Sequence, residues 1–130
     1  MRILVTGGLG FIGSAVIRNL INKEDIKVLN LDNQTYAANT KALKHLEKNS
    51  NYIFCKGDIS SKKLINEIFF TFKPQFVMNL AAETHVDRSI SNPEKFIKTN
   101  INGTFNLLEG SRKYLKNCSK EFKYNFRFHH

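Results

Sequence analysis

The run Val5 to Ser14, VTGGLGFIGS, places Gly7, Gly10 and Gly13 at the spacing G-x-x-G-x-x-G. This is a variant of the dinucleotide-binding fingerprint, provided that a strand precedes it and a helix follows. The first glycine permits a tight turn, the second lets the backbone approach a pyrophosphate, and the third lets helix and strand pack closely. The helix that begins there would present free N–H groups and a partial positive charge to the phosphates. Taken alone, the loop could equally be a glycine-rich turn with no ligand. A second feature lies 19 residues beyond Gly13, where Asp32 closes an apolar run. An acid there accepts hydrogen bonds from the adenosine ribose hydroxyls and repels a 2′-phosphate. Asn33, not an arginine, stands beside it, so the pattern favours NAD over NADP. An ordinary strand-end turn would also use an Asp.

Two further segments fall at the carboxyl ends of apolar runs, where ligands of parallel sheets bind. Asp58 follows the third run, where an adenine ring would rest, or it caps a helix ahead of Ser60 and Ser61. Leu80-Ala81-Ala82 follows the fourth and offers small residues where a backbone must run close to a cofactor. Tyr52 and Lys56 match Y-x-x-x-K as text, but on a strand they lie about 13 Å apart instead of the about 6 Å of a helical turn. They carry no catalytic role. His129 and His130, adjacent on a strand, face opposite sides and make no metal pair. Cys55 and Cys118 are read as free thiols. No metal site is expected.

The elements that must hold these residues alternate. Arg2 to Thr6 reads as a buried strand, and Ile12, Ala15, Val16, Ile17, Leu20 and Ile21 recur at helical spacing. Lys27 to Leu31 is the second strand, and a helix is predicted over Thr40 to Lys48. Tyr52 to Cys55 is the third strand. Ser60 or Ser61 caps a helix with the apolar stripe Leu64, Ile65, Ile68, Phe69 and Phe72. Phe76 to Ala81 is the fourth strand. Asn92-Pro93-Glu94 supplies an N-cap, a first-turn proline and an acid for a helix running to about Tyr114. A lysine-rich loop and a fifth strand, Asn125 to His130, end the chain. Continuous apolar strands alternating with helices predict a doubly wound, parallel α/β sheet of Rossmann type, in the order 3-2-1-4-5.

The 130 residues fit one domain. Twenty Lys and Arg against eleven Asp and Glu give a net charge of +9. The lysines are scattered over several helices in a chain rich in Lys, Asn and Ile, which favours solvated faces over a nucleic-acid surface. No apolar run approaches the roughly 18 residues of a membrane span, and the N-terminus has no cleavage-site pattern. A cytoplasmic chain is expected.

At Asn79 to Ile90, NLAAETHVDRSI, the residues go beyond what cofactor binding demands. Together with RILVTGGLGFIGSAVIRNLI, DNQTYA, GDIS, NPEKFIKTNINGTFNLLE and the terminal FRFHH, this stretch resembles the dTDP-glucose 4,6-dehydratases, a branch of the extended short-chain dehydrogenase/reductase family. The resemblance covers Met1 to His130, and Thr35-Tyr36 with His85 to Ser89 narrows it to that branch. It implies NAD contacts at Phe11 and Ile12, at Asp32, Asn33, Gln34 and Thr35, at Asp58 and Ile59, at Leu80, Ala81, Ala82, Glu83 and Thr84, and at Thr99. Thr84 would also meet the sugar of the dTDP-glucose substrate. Leu9, Asn33, Ala38, Asn79 and Thr84 stand where the family usually has alanine, lysine, glycine, histidine and serine. Ala38 would be strained if its position needs φ > 0.

Enzymes of this branch oxidise C4 of the glucose, eliminate water across C5–C6 and return hydride to C6. The carboxylate pair and the Tyr-x-x-x-Lys helix that serve them follow the fifth strand. None of these catalytic positions is matched here, so the chain is expected to be an N-terminal piece, inactive alone, comprising the NAD-binding Rossmann part over residues 1–130. The family dimerises through the helix beginning at Pro93 and another that lies beyond the tyrosine. An unpartnered fifth strand and helix would favour self-association. Two alternatives stay open: another sugar-nucleotide epimerase or dehydratase, and a non-catalytic nucleotide-binding module.

Overall fold

The computed structural model describes the backbone of residues 1–130 and every side chain except those of Val86, Arg88 and Ser89. The expectations placed on those three side chains therefore lie outside the described residues. The strands are β1 (Arg2–Thr6), β2 (Lys27–Asp32), β3 (Tyr52–Lys56), β4 (Phe76–Asn79) and β5 (Arg127–His129). All pair in parallel in the order β3-β2-β1-β4-β5. This is the predicted doubly wound α/β topology.

Alternation along the strands builds two apolar layers. Leu4, Leu29, Leu31 and Val77 face one side and pack with Ile65, Ile68 and Phe69 of α2 (Lys62–Thr71). Ile3, Val5 and Val28 face the other side and pack with Ile17 and Ile21 of α1 (Phe11–Ile21). A side-chain period of two, with both faces covered, explains why these strands read as continuous apolar runs.

Several expected elements change in detail. The helix expected over Thr40 to Lys48 is a 3₁₀ helix, Thr40–Leu46. Its buried residues, Leu43 and Leu46, are three apart, which suits three residues per turn. β4 ends at Asn79, not Ala81, because Ala81 N–H leaves the ladder and donates to Thr6 Oγ1 at 3.2 Å. A short helix, α3 (Val86–Ser91), follows it.

The helix begun at Pro93 is α4 (Pro93–Phe96), a π-helical segment over Ile97–Gly103, and α5 (Thr104–Lys116). Asn92 sits at the N-cap position but makes no side-chain capping bond. The lysine-rich segment is helical too: α6 (Lys120–Asn125) is capped by Ser119, whose Oγ accepts from Phe122 N–H at 3.2 Å. The fifth strand is accordingly three residues long, and Asn125 belongs to the helix. Gln34, not Ala38, takes a positive φ in the loop after β2, so alanine at position 38 carries no backbone strain there.

Candidate functional site: a cleft at the carboxyl ends of the strands

Three turns meet above the carboxyl ends of β1, β2 and β4. Gly7 has φ +69, and a Cβ there would lie 2.7 Å from the Ala81 backbone, so the first turn and the turn after β4 are in direct contact. Gly13 supports the loop from below: a Cβ would fall 2.2 Å from Gly7 O. Gly10 differs, because its only close neighbour would be Gly7 O at 3.2 Å. The space beside it is open toward the cleft, as a closely approaching ligand requires. Beyond it α1 begins at Phe11, whose side chain is 95% exposed, and the first-turn N–H groups have no carbonyl partners by helix geometry.

Asp32 ties the loops together. Its Oδ2 accepts from Leu9 N–H at 2.9 Å and its Oδ1 from Gln34 N–H at 2.8 Å. The carboxylate thus does the turn-forming work that an ordinary strand-end Asp would do, while it also lines the cleft and keeps further lone pairs free. Asp58 makes an Asx turn through Ser60 N–H at 2.8 Å. The helix cap falls to Ser61, whose Oγ accepts from Leu64 N–H. The other Asp58 oxygen lies 3.3 Å from Asn33 Nδ2 and 3.8 Å from Lys98 Nζ.

The turn after β4 is held by buried polar contacts. Thr6 Oγ1, besides accepting from Ala81, donates to Asn79 Oδ1 at 2.5 Å. Asn79 Nδ2 reaches Thr104 Oγ1 at 3.3 Å and His130 Nδ1 at 3.0 Å, which gives His130 a structural contact. Asn100, in the π-helical segment, closes both backbone groups of Glu83: Glu83 N–H donates to its Oδ1 and its Nδ2 donates to Glu83 O, each at 2.9 Å. The buried Glu83 carboxylate pairs with Lys95 Nζ at 3.0 Å. Lys95 Nζ also lies 5.7 Å from the Tyr36 ring, whose centroid is 5.4 Å from that of His85. A π-helical turn of this kind is a frequent mark of a functional site.

Of the residues singled out in the sequence, Gly7, Gly10, Asp32, Asn33, Thr35, Asp58, Ile59, Leu80, Ala81, Ala82, Glu83 and Thr99 line one cleft. Phe11, Ile12, Gly13 and Thr84 lie outside its lining, and Gln34 lines a separate small pocket with Leu43 and Tyr52. Asn100 and Asn106 were not foreseen. Asn106 Nδ2 donates to the carbonyls of Ile59 and Ser60, at 3.2 and 2.9 Å, and so pins the turn after β3 to α5. Nothing in a lone Asn within a helical pattern distinguishes such a tie from solvent exposure. Tyr52 lies elsewhere, on β3, where its hydroxyl accepts from Asn30 Nδ2 at 2.9 Å and burial pushes its phenol up.

Helices on both faces of a parallel sheet, a glycine turn of open approach and an acid at the end of β2 define a dinucleotide-binding fold of the dehydratase and epimerase class. The chain belongs to the GDP-mannose 4,6 dehydratase family, whose model matches residues 4–130. It is 52% identical over all 130 residues to dTDP-glucose 4,6-dehydratase of Haemophilus influenzae and spans 38% of that protein's length. Among solved structures, dTDP-glucose 4,6-dehydratase of Streptomyces venezuelae, which holds NAD, matches 88% of the chain and 36% of its own at a TM-score of 0.79 and 37% identity. UDP-glucose 4-epimerase of Thermotoga maritima matches 88% of the chain and 35% of its own at 0.78 and 38%. The two folds are thus equally near. The higher identity is to the dehydratase sequence.

Proposed function

We propose that residues 1–130 are the NAD-binding Rossmann part of a cytoplasmic dTDP-glucose 4,6-dehydratase. The observation that carries this reading is the 52% identity to such an enzyme along the entire chain. The cleft supports it, because the donor set fits the cofactor. Gly10 leaves the backbone bare where a pyrophosphate would come closest, and the first turn of α1, at Phe11 and Ile12, supplies N–H donors. Asp32 would accept from the adenosine ribose hydroxyls, with Asn33 and Thr35 beside it. Asp58 and Ile59 would flank the adenine, and Leu80 to Glu83 with Thr99 would line the far side. Thr84 would meet the sugar at the cleft's outer edge. Bound NAD supplies a reversible hydride acceptor. The chain's own part is to bind and orient it, with Glu83 held against Lys95 and Asn100 to fix the turn after β4. No helix among the described residues is long and apolar enough to cross a membrane.

Calorimetric titration of the chain tests the cofactor assignment. NAD should bind at least about tenfold more tightly than NADP, the ratio expected when a carboxylate faces the 2′-phosphate. Asp32→Asn should narrow the ratio, and equal affinity in the unsubstituted chain would overturn the assignment. A second measurement concerns chemistry. The titratable groups that line the cleft are Asp32, Asp58 and Glu83, all three engaged in hydrogen bonds or ion pairs. The 130-residue chain given dTDP-glucose and NAD should form no 4-keto product, detected by its absorbance in alkali. Turnover above background would place the catalytic groups within these residues.

A further inference from the structure

The amino ends of the strands carry a second cavity, of about 590 Å³, between α2, the last turns of α5 and α6. Arg2, at the first residue of β1, lines it, so it lies at the opposite end of that strand from Gly7 and the cofactor cleft. One wall is aromatic and built by mutual contact. The Phe69 and Tyr114 ring centroids are 5.6 Å apart, and Phe122 meets Tyr114 edge-on at 5.8 Å. Phe70 adds a ring that is 78% exposed. Phe69, 2% exposed, backs the Tyr114 ring from the core, so Tyr114, Phe122 and Phe70 supply the accessible faces.

The charge at this cavity has one sign. Arg2, Lys73 and Lys113 line it, and the lining includes no Asp or Glu. Arg2 Nε donates to Lys73 O at 2.9 Å, which fixes the guanidinium while leaving its terminal N–H groups for another acceptor. Glu109, one turn before Lys113, is engaged by Arg112 Nε at 2.7 Å and lies outside the cavity lining. Burial pushes the Tyr114 phenol up, so its hydroxyl stays protonated and can donate.

We propose that this cavity binds a nucleoside phosphate, with the base stacked among Tyr114, Phe122 and Phe70, and the phosphate met by Arg2, Lys73 and Lys113. The volume falls within the roughly 300–1,000 Å³ of small-molecule sites. Aromatic faces take any planar base, and cations recognise the phosphate by charge and hydrogen bonds. An inorganic anion would leave the aromatic wall unused, and a neutral ring would leave three cations unanswered. The site stands apart from the cofactor cleft and does not depend on how that cleft is read.

The test titrates the chain with guanosine 5′-monophosphate in saturating NAD, alongside free guanosine, inorganic phosphate and a glutamate-rich peptide. Lys113→Glu and Phe70→Ala are the informative variants, since both side chains are exposed and the fold does not rest on them. The nucleotide should bind about tenfold more tightly than guanosine or phosphate, and each variant should weaken it by about fivefold or more. Binding untouched by both variants would overturn the proposal. So would guanosine or phosphate binding as well as the nucleotide, or the acidic peptide binding more tightly, which would make the cavity a docking site for a protein. If NAD does not bind, the Asp32→Asn variant separates the two sites: nucleotide affinity lost there but kept in Lys113→Glu belongs to the cleft and overturns the proposal.

Discussion

The cofactor cleft and the outer side of the α4–α5 helix are built by the same sheet and differ in how their surfaces are satisfied. Around the cleft, backbone groups and carboxylates are paired in several directions: Asp32 holds two loops, Asn100 closes Glu83, and Asn106 pins the turn after β3. On the helix, Ile97, Ile101, Phe105 and Leu108 recur at helical spacing and are 48% to 61% exposed. The cleft's loops are tied to one another by these bonds. The helix carries an apolar stripe that no described residue covers. A polar, preorganised concavity suits a small polar ligand, whereas a continuous exposed apolar stripe suits another protein face.

The largest expected effect breaks the cleft. In Gly13→Ala the new methyl would lie 2.2 Å from Gly7 O and 2.7 Å from Gly8 Cα, and both obstacles are backbone. The loop cannot yield without moving Gly7 away from Ala81, so destabilisation should reach the upper end of the about 1–3 kcal/mol typical of overpacking, or exceed it. NAD binding should vanish in calorimetry even at temperatures where the variant remains folded by circular dichroism. Binding that survives would show that the glycine loop adapts and that the cleft is less preorganised than its geometry indicates.

The sheet edge gives the next effect. Phe126 and Phe128 pack, half buried, against the same core as Phe69 and Leu107, while the intervening Arg127 is exposed. Both phenylalanines therefore face inward, and neither is a neutral site for disrupting association at the edge. Phe128→Lys should cost about 2–4 kcal/mol by loss of burial and introduction of an unpaired charge. Arg127→Glu, at an exposed position, should leave thermal stability nearly unchanged. A Phe128→Lys chain as stable as its parent would mean that β5 does not contribute to the core.

What could be read beforehand divides along physical lines. The sheet order, the glycine turn and Asp32 were legible because a fully buried strand, a backbone forced to φ +69 and a strand-end acid each leave a residue-type signature. The ends of the fifth strand were misplaced, since Asn125-Phe126-Arg127-Phe128 alternates like a strand while Ser119 caps a helix that runs through Asn125. In the helix after Pro93 the existence and direction were plain, but the π-helical widening that brings Asn100 to Glu83 has no signature in apolar spacing. In sequence Asp58 fits a helix cap and a cofactor contact equally; in the fold the cap belongs to Ser61.

The smallest change in stability, and the clearest contrast with the cleft, should come from the apolar stripe. Ile101 is 60% exposed and Phe105 61% exposed, so replacing both with glutamate removes little buried area and should shift the melting temperature only slightly. Association is where the effect should appear. If the stripe meets a second copy of the chain, the parent should self-associate at high micromolar concentration in sedimentation equilibrium. Ile101→Glu with Phe105→Glu should then be monomeric, because each protomer would bring two acids into an apolar contact, and like charges facing each other oppose association. NAD affinity should be unchanged, since neither residue lines the cleft. A parent chain that stays monomeric across the range would show that the stripe needs a different partner surface, and the division between a self-sufficient cleft and a dependent helix face would then rest on exposure alone.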